Sequence, residues 1–323
     1  FSYTAVDTDG SSSTAKLVVT VNGANDVPSI TGTSAGTVTE AGGIANGTPG
    51  TPSASGQLTI TDPDAGQSSF QTPASLSGTY GTFTFNAATG AWTYTLANNS
   101  AATEALKAGQ IVTEKLTVTS LDGTKTQDIT VTVNGTNDAP VISAAQTVSV
   151  SEEGLPGGVP DTTGNVAGAD TTNNVVASGM FTATDVDNTV LAFSLDVPTA
   201  NITSNGVAVT WTVSADGQTL VGKAGGVDIL TATINSSTGA YTVTLNGPVD
   251  HPVGAGEGAL TIPLTVRVSD GLASATQTLN VRVEDDSPVV TDSAQSVQVN
   301  AQNTNVTLIL DVVAQPGDSA SSA

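Results

Sequence analysis

The eight residues Val21-Asn22-Gly23-Ala24-Asn25-Asp26-Val27-Pro28 recur almost unchanged as Val133-Asn134-Gly135-Thr136-Asn137-Asp138-Ala139-Pro140. The two Asn-Asp pairs are separated by 137 − 25 = 112 residues. A looser copy, Asp285-Asp286-Ser287-Pro288, follows farther along the chain. Self-similarity at a fixed spacing is typical of tandem modules, so one module written several times predicts the organisation of the chain.

Each copy of this phrase ends a repeated hairpin pattern. Before it comes a segment of alternating apolar and polar residues, at positions 17–21, 129–133 and 279–283. Before that segment comes an acid followed by glycine, at Asp9-Gly10, Asp122-Gly123 and Asp270-Gly271. Period-two alternation with glycine turns predicts antiparallel strands. Two more phrases repeat, 56–64 as 179–187 and 85–96 as 234–245, and the second pair contains Trp92 and Tyr241 as predicted core aromatics.

These patterns predict an all-β fold of tandem Ig/cadherin-like Greek-key β-sandwich modules in an extended rod. The predicted domains are the C-terminal hairpin of a truncated module, a complete sandwich, a longer sandwich, and the start of a following module with a disordered tail. Their ranges are 1–28, 29–140, 141–288 and 289–323. The longer sandwich should carry an extra loop or hairpin between Asp187 and Ile234. The alternating pattern is already running at Phe1, so we expect a segment of a longer protein.

Composition narrows the class of function. Acids outnumber bases 29 to 7, for a formal charge of -22, which disfavours nucleic-acid and anionic-lipid partners. The chain has no cysteine, so disulfides and thiolate metal sites are excluded. No apolar run is long enough to span a bilayer, so membrane insertion by this segment is not expected. Carboxylates that cluster would instead attract hard divalent cations.

Strand direction predicts where the acids meet. In a seven-strand Greek key the strands alternate in direction, so each acidic phrase falls at one end of its module. Acids at the end of one module then face those at the start of the next. The first joint should collect Asn25, Asp26, Asp62, Asp64 and Asp122. The second joint should collect Glu40, Asn137, Asp138, Asp185, Asp187 and Asp270.

Other acids are placed by the same argument. Glu152 and Glu153 correspond to Glu40, and Asp285-Asp286 to the Asn-Asp phrase, while Asp7 and Asp9 would face a preceding module. Asp-Gly and Asn-Asp are also ordinary turn residues, so any one copy alone could be only a turn. Five or six oxygen-bearing side chains in a small volume match the coordination of Ca²⁺. The sequence therefore predicts Ca²⁺ as the cofactor at these joints.

The combination of D-x-D, D-G and N-D-x-P with tandem spacing resembles the bacterial cadherin-like repeats of giant RTX adhesins. Residues 29–140 resemble the VCBS repeat, and residues 141–288 resemble the longer repeat of the same type I secreted proteins. This resemblance implies calcium-stiffened extender modules in a secreted or cell-surface adhesin of a Gram-negative bacterium, used in attachment and biofilm formation. It implies neighbouring modules of the same chain as partners, with host or abiotic surfaces, glycans or proteins bound through other domains.

An enzyme is not expected. His251 is the only histidine, it lies in a proline-flanked stretch that suggests an exposed turn, and no nucleophile elbow or phosphate loop accompanies it. The alternative function is a glycan- or protein-binding module within residues 188–233, although Trp211 there alternates like a core residue. Residues 305–311 resemble the first strand of a von Willebrand A domain, but the continuation Val312-Val313-Ala314-Gln315 lacks that family's metal motif. We therefore favour a strand of the next sandwich for this segment.

Overall fold

The computed structural model describes residues 1–158, 170–252 and 258–286. Within these ranges the chain is almost entirely β-structure, as predicted. It divides into two compact units. The first comprises residues 1–38, 52–97 and 111–133, and the second comprises residues 39–51, 98–110 and the described residues from 134 onward. The predicted strand at 305–311 and the tail lie outside the described residues.

The first unit is built from a hairpin and two sheets. Its strands are β1 (Ser2–Val6), β2 (Ser12–Lys16), β3 (Ser29–Gly32), β4 (Ala35–Thr39), β5 (Ser53–Thr61), β6 (Gly81–Phe85), β7 (Ala91–Leu96), β8 (Ile111–Thr119) and β9 (Thr126–Asn134). One sheet has the order β3-β5-β7-β6 and the other the order β4-β9-β8. Non-consecutive neighbours in both sheets give the Greek-key arrangement that the repeats predict.

The core of the first unit comes from alternate positions of these strands. In β7 every second side chain is buried, so Trp92, Tyr94 and Leu96 face inward. The ring of Tyr94 packs against Phe83 on β6, with centroids 4.8 Å apart. The indole N–H of Trp92 donates a hydrogen bond to the carbonyl of Thr33 at 2.7 Å. Trp92 is therefore a core residue, as predicted.

Glycine at position 56 is explained by this tryptophan. Gly56 on β5 pairs directly with Trp92 on β7. A Cβ atom at position 56 would lie 2.8 Å from the indole ring, so only glycine leaves room for it. The second unit repeats the device, because Gly179 pairs with Tyr241 and a Cβ there would lie 2.3 Å from the tyrosine hydroxyl. The repeated phrases thus encode one packing contact twice.

The strand predicted at residues 17–21 does not form. The hairpin of β1 and β2 ends at Lys16, with a final backbone hydrogen bond from Leu17 to Phe1 at 2.8 Å. The residues after Leu17 pair with no strand among those that the structure describes. Val18 and Val21 are consequently more than four-fifths exposed.

The second unit contains the remaining strands and short helices. Its strands are β10 (Val141–Ile142), β11 (Gln146–Ser151), β12 (Val176–Met180), β13 (Ala183–Thr184), β14 (Ala192–Asp196), β15 (Thr203–Ser204), β16 (Val207–Ala208), β17 (Thr210–Val213), β18 (Thr219–Ala224), β19 (Val227–Ile234), β20 (Ala240–Leu245), β21 (Ala259–Ser269) and β22 (Ser274–Glu284). Short helical turns cover Ile44–Asn46, Ala101–Glu104 (α1) and Glu152–Gly154. No helix in the described ranges has the length and apolar character needed to cross a membrane.

Two sheets enclose the core of the second unit. One has the order β11-β22-β21-β14, with β11 parallel to β22, and the other has the order β12-β20-β19-β18-β17. Inward-facing residues such as Phe181, Leu230 and Val281 are fully buried between them. Tyr241 belongs to the same core and donates its hydroxyl to Gln146 at 2.8 Å.

The extra length predicted between Asp187 and Ile234 forms two hairpins. One is β15 with β16, and the other is β17 with β18, which extends a sheet beyond β19. Val209 separates β16 from β17, and its side chain is buried. Trp211 is half-buried against the core and donates its indole N–H to Ala200 at 3.1 Å.

Candidate metal centres

A first acidic cluster lies in the first unit and contains all five residues predicted for the first joint. The side-chain amide of Asn25 donates to Asp122 Oδ2 at 2.8 Å, and the backbone N–H of Asp26 donates to Asp64 Oδ2 at 2.8 Å. Asp62 completes the group, because its Oδ1 accepts the N–H of Asp64 at 2.8 Å. The structure therefore brings these residues together.

Local turns hold the acids of this cluster in place. Asp122 follows β8, and its Oδ1 accepts a hydrogen bond from Ser120 at 2.5 Å. Hydrogen bonds from Ser120, Thr124 and Asn25 lower the pKa of Asp122 well below its ordinary value. Asp122 therefore stays ionised at any physiological pH, which is the state that a cation ligand requires.

A second acidic cluster lies in the second unit and repeats the first. The side-chain amide of Asn137 donates to Asp270 Oδ2 at 2.7 Å, and the backbone N–H of Asp138 points to Asp187 Oδ2 at 3.4 Å. Asp185 accepts the N–H of Asp187 at 3.2 Å, as Asp62 does from Asp64. The two clusters therefore share one pattern of contacts, built from the same repeated phrases.

Glu40 joins the second cluster, as predicted. It follows β4, and its backbone N–H donates to Asn134 at 2.9 Å. Its Oε2 accepts the N–H of Thr136 at 3.0 Å, which holds the carboxylate beside the Asn-Asp phrase. Charge repulsion from Asp138 and Asp187 acts on it.

Three acids of the second cluster are buried, and several of its carboxylate oxygens lack hydrogen-bond partners. Glu40, Asp138 and Asp187 are at most 5% exposed. Four carboxylate oxygens there have no hydrogen-bond partner within the described residues: Glu40 Oε1, Asp138 Oδ2, Asp185 Oδ2 and Asp187 Oδ1. Burying ionised oxygens without partners is costly. Each of these oxygens therefore has the capacity to accept a further polar or positively charged partner.

Burial and mutual repulsion shift the ionisation of this cluster. Burial raises the pKa of Glu40 to about 7, assisted by the charge of Asp138. Burial, with the charges of Glu104 and Asp185, raises the pKa of Asp138 to about 6. Burial, with the hydrogen bond and charge of Asp185, raises the pKa of Asp187 to about 7. Without a cation the cluster therefore retains protons close to neutral pH.

Glu104 lies close enough to the second cluster for its charge to raise the pKa values of Glu40 and Asp138, and the repeated acidic phrases did not include it. It ends α1, whose N-cap Ser100 accepts the N–H of Thr103, and its Oε1 accepts the side-chain amide of Asn46 at 2.7 Å. The same strand-parity argument places the loop after β7 at the end of the module that carries Glu40, so that signal could have found Glu104.

A third group contains Glu152, Glu153, Asp285 and Asp286, all buried. Glu152 opens a helical turn directly after β11, and Asp285 follows β22. The expectation that His251 is an exposed turn residue is wrong. Its side chain is 1% exposed, and its Nε2 lies 3.2 Å from Glu152 Oε1. The loop after β20 folds inward, which local sequence patterns do not reveal.

Asp7 and Asp9 occupy the turn of the exposed β1–β2 hairpin. Asp7 Oδ1 accepts the backbone N–H groups of Asp9 and Ser11 at 3.1 and 2.9 Å. These contacts are those of a turn-forming aspartate. A metal-binding role for the pair stays a prediction.

Part of the chain is similar to a known protein family. Residues 25–135 match the family model described as the bacterial cadherin-like domain. Domains of this class are extracellular adhesion modules and are generally non-enzymatic. A search of curated proteins gave no significant match.

Solved structures similar to this chain include several cadherin ectodomains. Protocadherin Gamma B2 extracellular cadherin domains 1-5 are 14% identical with a TM-score of 0.38, covering 91% of this chain and 46% of that one. Mouse clustered PcdhgC3 EC1-3 is 16% identical with a TM-score of 0.35, covering 88% and 76%. Human Protocadherin-24 EC1-2 is 14% identical with a TM-score of 0.35, covering 82% and 99%. The chain thus spans about half of the first of these.

Proposed function

We propose that this chain is a non-enzymatic, calcium-stiffened extender segment of a large bacterial surface or secreted adhesin, with a role in attachment and biofilm formation. The observation that carries the proposal is the second cluster, with its four buried carboxylate oxygens that lack partners. The cadherin-like match over residues 25–135 supports an adhesion module. Type I secretion and the RTX context rest on the resemblance of the repeats.

Ca²⁺ is the cation that these donors fit best. Each cluster offers carboxylate oxygens from aspartate or glutamate together with an asparagine amide, and neither offers sulfur or imidazole. Ca²⁺ takes six to eight oxygen ligands in flexible geometry, whereas Mg²⁺ demands a stricter octahedron. Glu40, Glu104, Asp138, Asp185 and Asp187 would hold the ion in the second cluster. Asp26, Asp62, Asp64 and Asp122 would hold it in the first.

The ion would supply positive charge that links separate stretches of chain. Asp138 follows β9, whereas Asp187 lies in the loop before β14 and Asp270 in the turn between β21 and β22. One ion bound to these groups ties the end of the predicted module 29–140 to loops of the predicted module 141–288. Without it, like charges repel and the linking residues loosen. Stiffening is therefore an electrostatic consequence of filling the cluster.

Each bound Ca²⁺ ion would stabilise the folded chain by only a modest free energy. Extracellular Ca²⁺ sites have dissociation constants of about 10⁻⁴–10⁻³ M. At millimolar Ca²⁺ each site would then stabilise the folded chain by on the order of 1 kcal/mol. Several joints in a long adhesin add up, so the stiffness of the whole chain would follow external calcium.

The test compares the chain with and without calcium. Calorimetry and small-angle scattering of the whole chain should show a higher unfolding temperature and a longer maximum dimension in millimolar Ca²⁺ than in a chelator. The variant Asp187→Asn should lose most of the calcium-dependent increase in unfolding temperature and in maximum dimension that the second cluster provides. Asp216→Asn is the matched control, because Asp216 is an exposed turn aspartate that accepts Ser214 at 2.5 Å outside the clusters. Identical results with and without Ca²⁺ would contradict the proposal.

A second candidate function is ligand binding by the added hairpins of the second unit. They leave β17 as an edge strand, with Thr210 and Thr212 exposed. An edge strand presents unpaired backbone groups that can receive an extended peptide. Binding of the whole chain to glycan arrays and cells, compared with the double variant Thr210→Lys and Thr212→Lys, tests this. Weaker binding by the double variant would support this second function, and equal binding by the two proteins would exclude it.

A further inference from the structure

One group of candidate metal ligands in the second unit differs in chemistry from the two acidic clusters. Glu152, His251 and Asp285 each place one ligand atom so that all three atoms lie within 4.8 Å of one another. All three residues are at most 6% exposed. An imidazole nitrogen and two carboxylates therefore converge in the protein interior.

Three separate segments build this group. Glu152 opens the helical turn after β11, His251 lies in the loop after β20, and Asp285 follows β22. In the second cluster the corresponding loop after β7 contributes Glu104 instead. At the same position of the repeated architecture an imidazole therefore replaces a carboxylate. The supporting framework is preserved, while the donor atom changes from oxygen to nitrogen.

The hydrogen bonding of the Glu152 carboxylate is a second observation that bears on a bound ligand at this group. Its Oε1 accepts the backbone N–H of Val249 at 2.7 Å and lies 3.2 Å from His251 Nε2. Its Oε2 is buried and has no hydrogen-bond partner among residues 1–158, 170–252 and 258–286. Glu152 as a whole is 2% exposed. A buried carboxylate oxygen without a partner is costly, so Oε2 of Glu152 has the capacity for one more polar or charged partner.

Ligand type selects the metal. Imidazole suits Zn²⁺ and its transition-metal neighbours, whereas Ca²⁺ prefers oxygen alone. Zn²⁺ sites with three protein ligands, drawn from histidine and carboxylate, leave a fourth position for water. We propose that Glu152, His251 and Asp285 form a site for Zn²⁺, selective over Ca²⁺. This site is independent of the calcium clusters, so either assignment can fail without the other.

The competing explanation is a metal-free ion pair between a protonated His251 and Glu152. Burial would lower the pKa of His251, but the hydrogen bond with Glu152 and the charges of Asp285 and Asp286 raise it above its ordinary value. The two explanations differ in one respect, because bound Zn²⁺ needs a deprotonated nitrogen and so competes with the proton. An experiment that observes the imidazole directly separates them.

His251 is the only histidine, so its ring signals in an NMR spectrum need no assignment. The whole chain, stripped of metal with a chelator, is titrated with Zn²⁺ in millimolar Ca²⁺ at pH 7.5. We expect the ring signals to change with a one-to-one stoichiometry and to be insensitive to Ca²⁺ alone. Ring signals that ignore Zn²⁺ and titrate only with pH would overturn the proposal in favour of the ion pair.

Variants give a second, independent measurement. Competition with a chromophoric zinc indicator should show that His251→Gln weakens Zn²⁺ binding by at least about tenfold to a hundredfold, since loss of outer-shell partners alone produces that range. Asp216→Asn should bind as the unaltered chain does. Equal Zn²⁺ affinity in a folded His251→Gln variant would also refute the site. If that variant does not fold, the NMR titration of the unaltered chain still distinguishes the zinc site from the metal-free ion pair.

Discussion

The side-chain amide of Asn137 lies 2.7 Å from Oδ2 of Asp270, a residue 133 positions farther along the chain. The same contact joins Asn25 to Asp122 at 2.8 Å across 97 positions. Hydrogen bonds of Asn137 with Asp270 and of Leu272 and Ala273 with the same carboxylate lower the pKa of Asp270, against the effect of burial. The asparagine of each Asn-Asp phrase thus anchors a distant carboxylate in its ionised state.

Replacing Asn137 with alanine should destabilise the second unit. A hydrogen bond to an ionised group contributes about 1.5–3 kcal/mol, so we expect a lower urea midpoint for Asn137→Ala. Asn246→Ala is the control, because Asn246 is exposed and its amide donates to the uncharged Thr231 at 2.9 Å. Equal midpoints for the two variants would show that the Asn137–Asp270 contact is not stabilising.

Calcium-free protein should become less stable as pH rises from about 4 to about 7. Carboxyl groups in the unfolded chain have pKa values near 4, whereas those of Glu40 and Asp187 are raised to about 7 in the folded state. The folded state therefore binds more protons than the unfolded state in this window, and stability falls with pH. Calorimetry in a chelator from pH 4.5 to 8 measures this slope. The double variant Glu40→Gln and Asp187→Asn should flatten it.

Calcium binding should show the opposite pH dependence. Because Ca²⁺ must displace protons from Glu40, Asp138 and Asp187, its affinity should fall as pH decreases below about 7. Titration calorimetry in two buffers of different ionisation enthalpy would reveal the released protons. Proton release of zero at pH 6.5 would mean that the cluster is ionised before the ion arrives.

Glu104→Gln should weaken calcium binding at the second cluster. The variant keeps the size of the side chain but removes one negative charge that acts on Asp138. We expect about a tenfold loss of Ca²⁺ affinity there, in line with the effect of removing metal-site partners. Asp128→Asn is the control, since Asp128 is an exposed acid paired with Lys115 at 2.7 Å. A matching affinity for both variants would exclude Glu104 from the site.

Gly56→Ala should destabilise the first unit and Gly179→Ala the second. The added Cβ would lie 2.8 Å from the Trp92 ring and 2.3 Å from the Tyr241 hydroxyl, so each ring must shift. Overpacking of this kind costs about 1–3 kcal/mol. Gly23→Ala is the control, because a Cβ there would meet no atom within 4 Å. Thermal unfolding followed by tryptophan fluorescence and calorimetry measures the difference.

Much of the fold could be predicted from sequence because strand alternation and turn residues are local signals. The repeated phrases located β5, β7, β12 and β20, and they identified Trp92 and Tyr241 as core residues. Strand parity also predicted which acids come together in the first two clusters. Parity works there because two residues that end neighbouring strands lie at the same edge regardless of side-chain detail. The calcium role and the module boundaries remain predictions.

The sequence by itself determined the all-β class, the repeated hairpins and the end of each module at which the acids lie. Only the tertiary structure decided which loops fold inward: it buried His251 against Glu152 and brought the charge of Glu104 close to Asp138 in the second cluster. The physical reason is that alternation and turn chemistry act between near neighbours. Burial and ionisation of a loop side chain depend instead on contacts with residues about 100 positions away, as between His251 and Glu152.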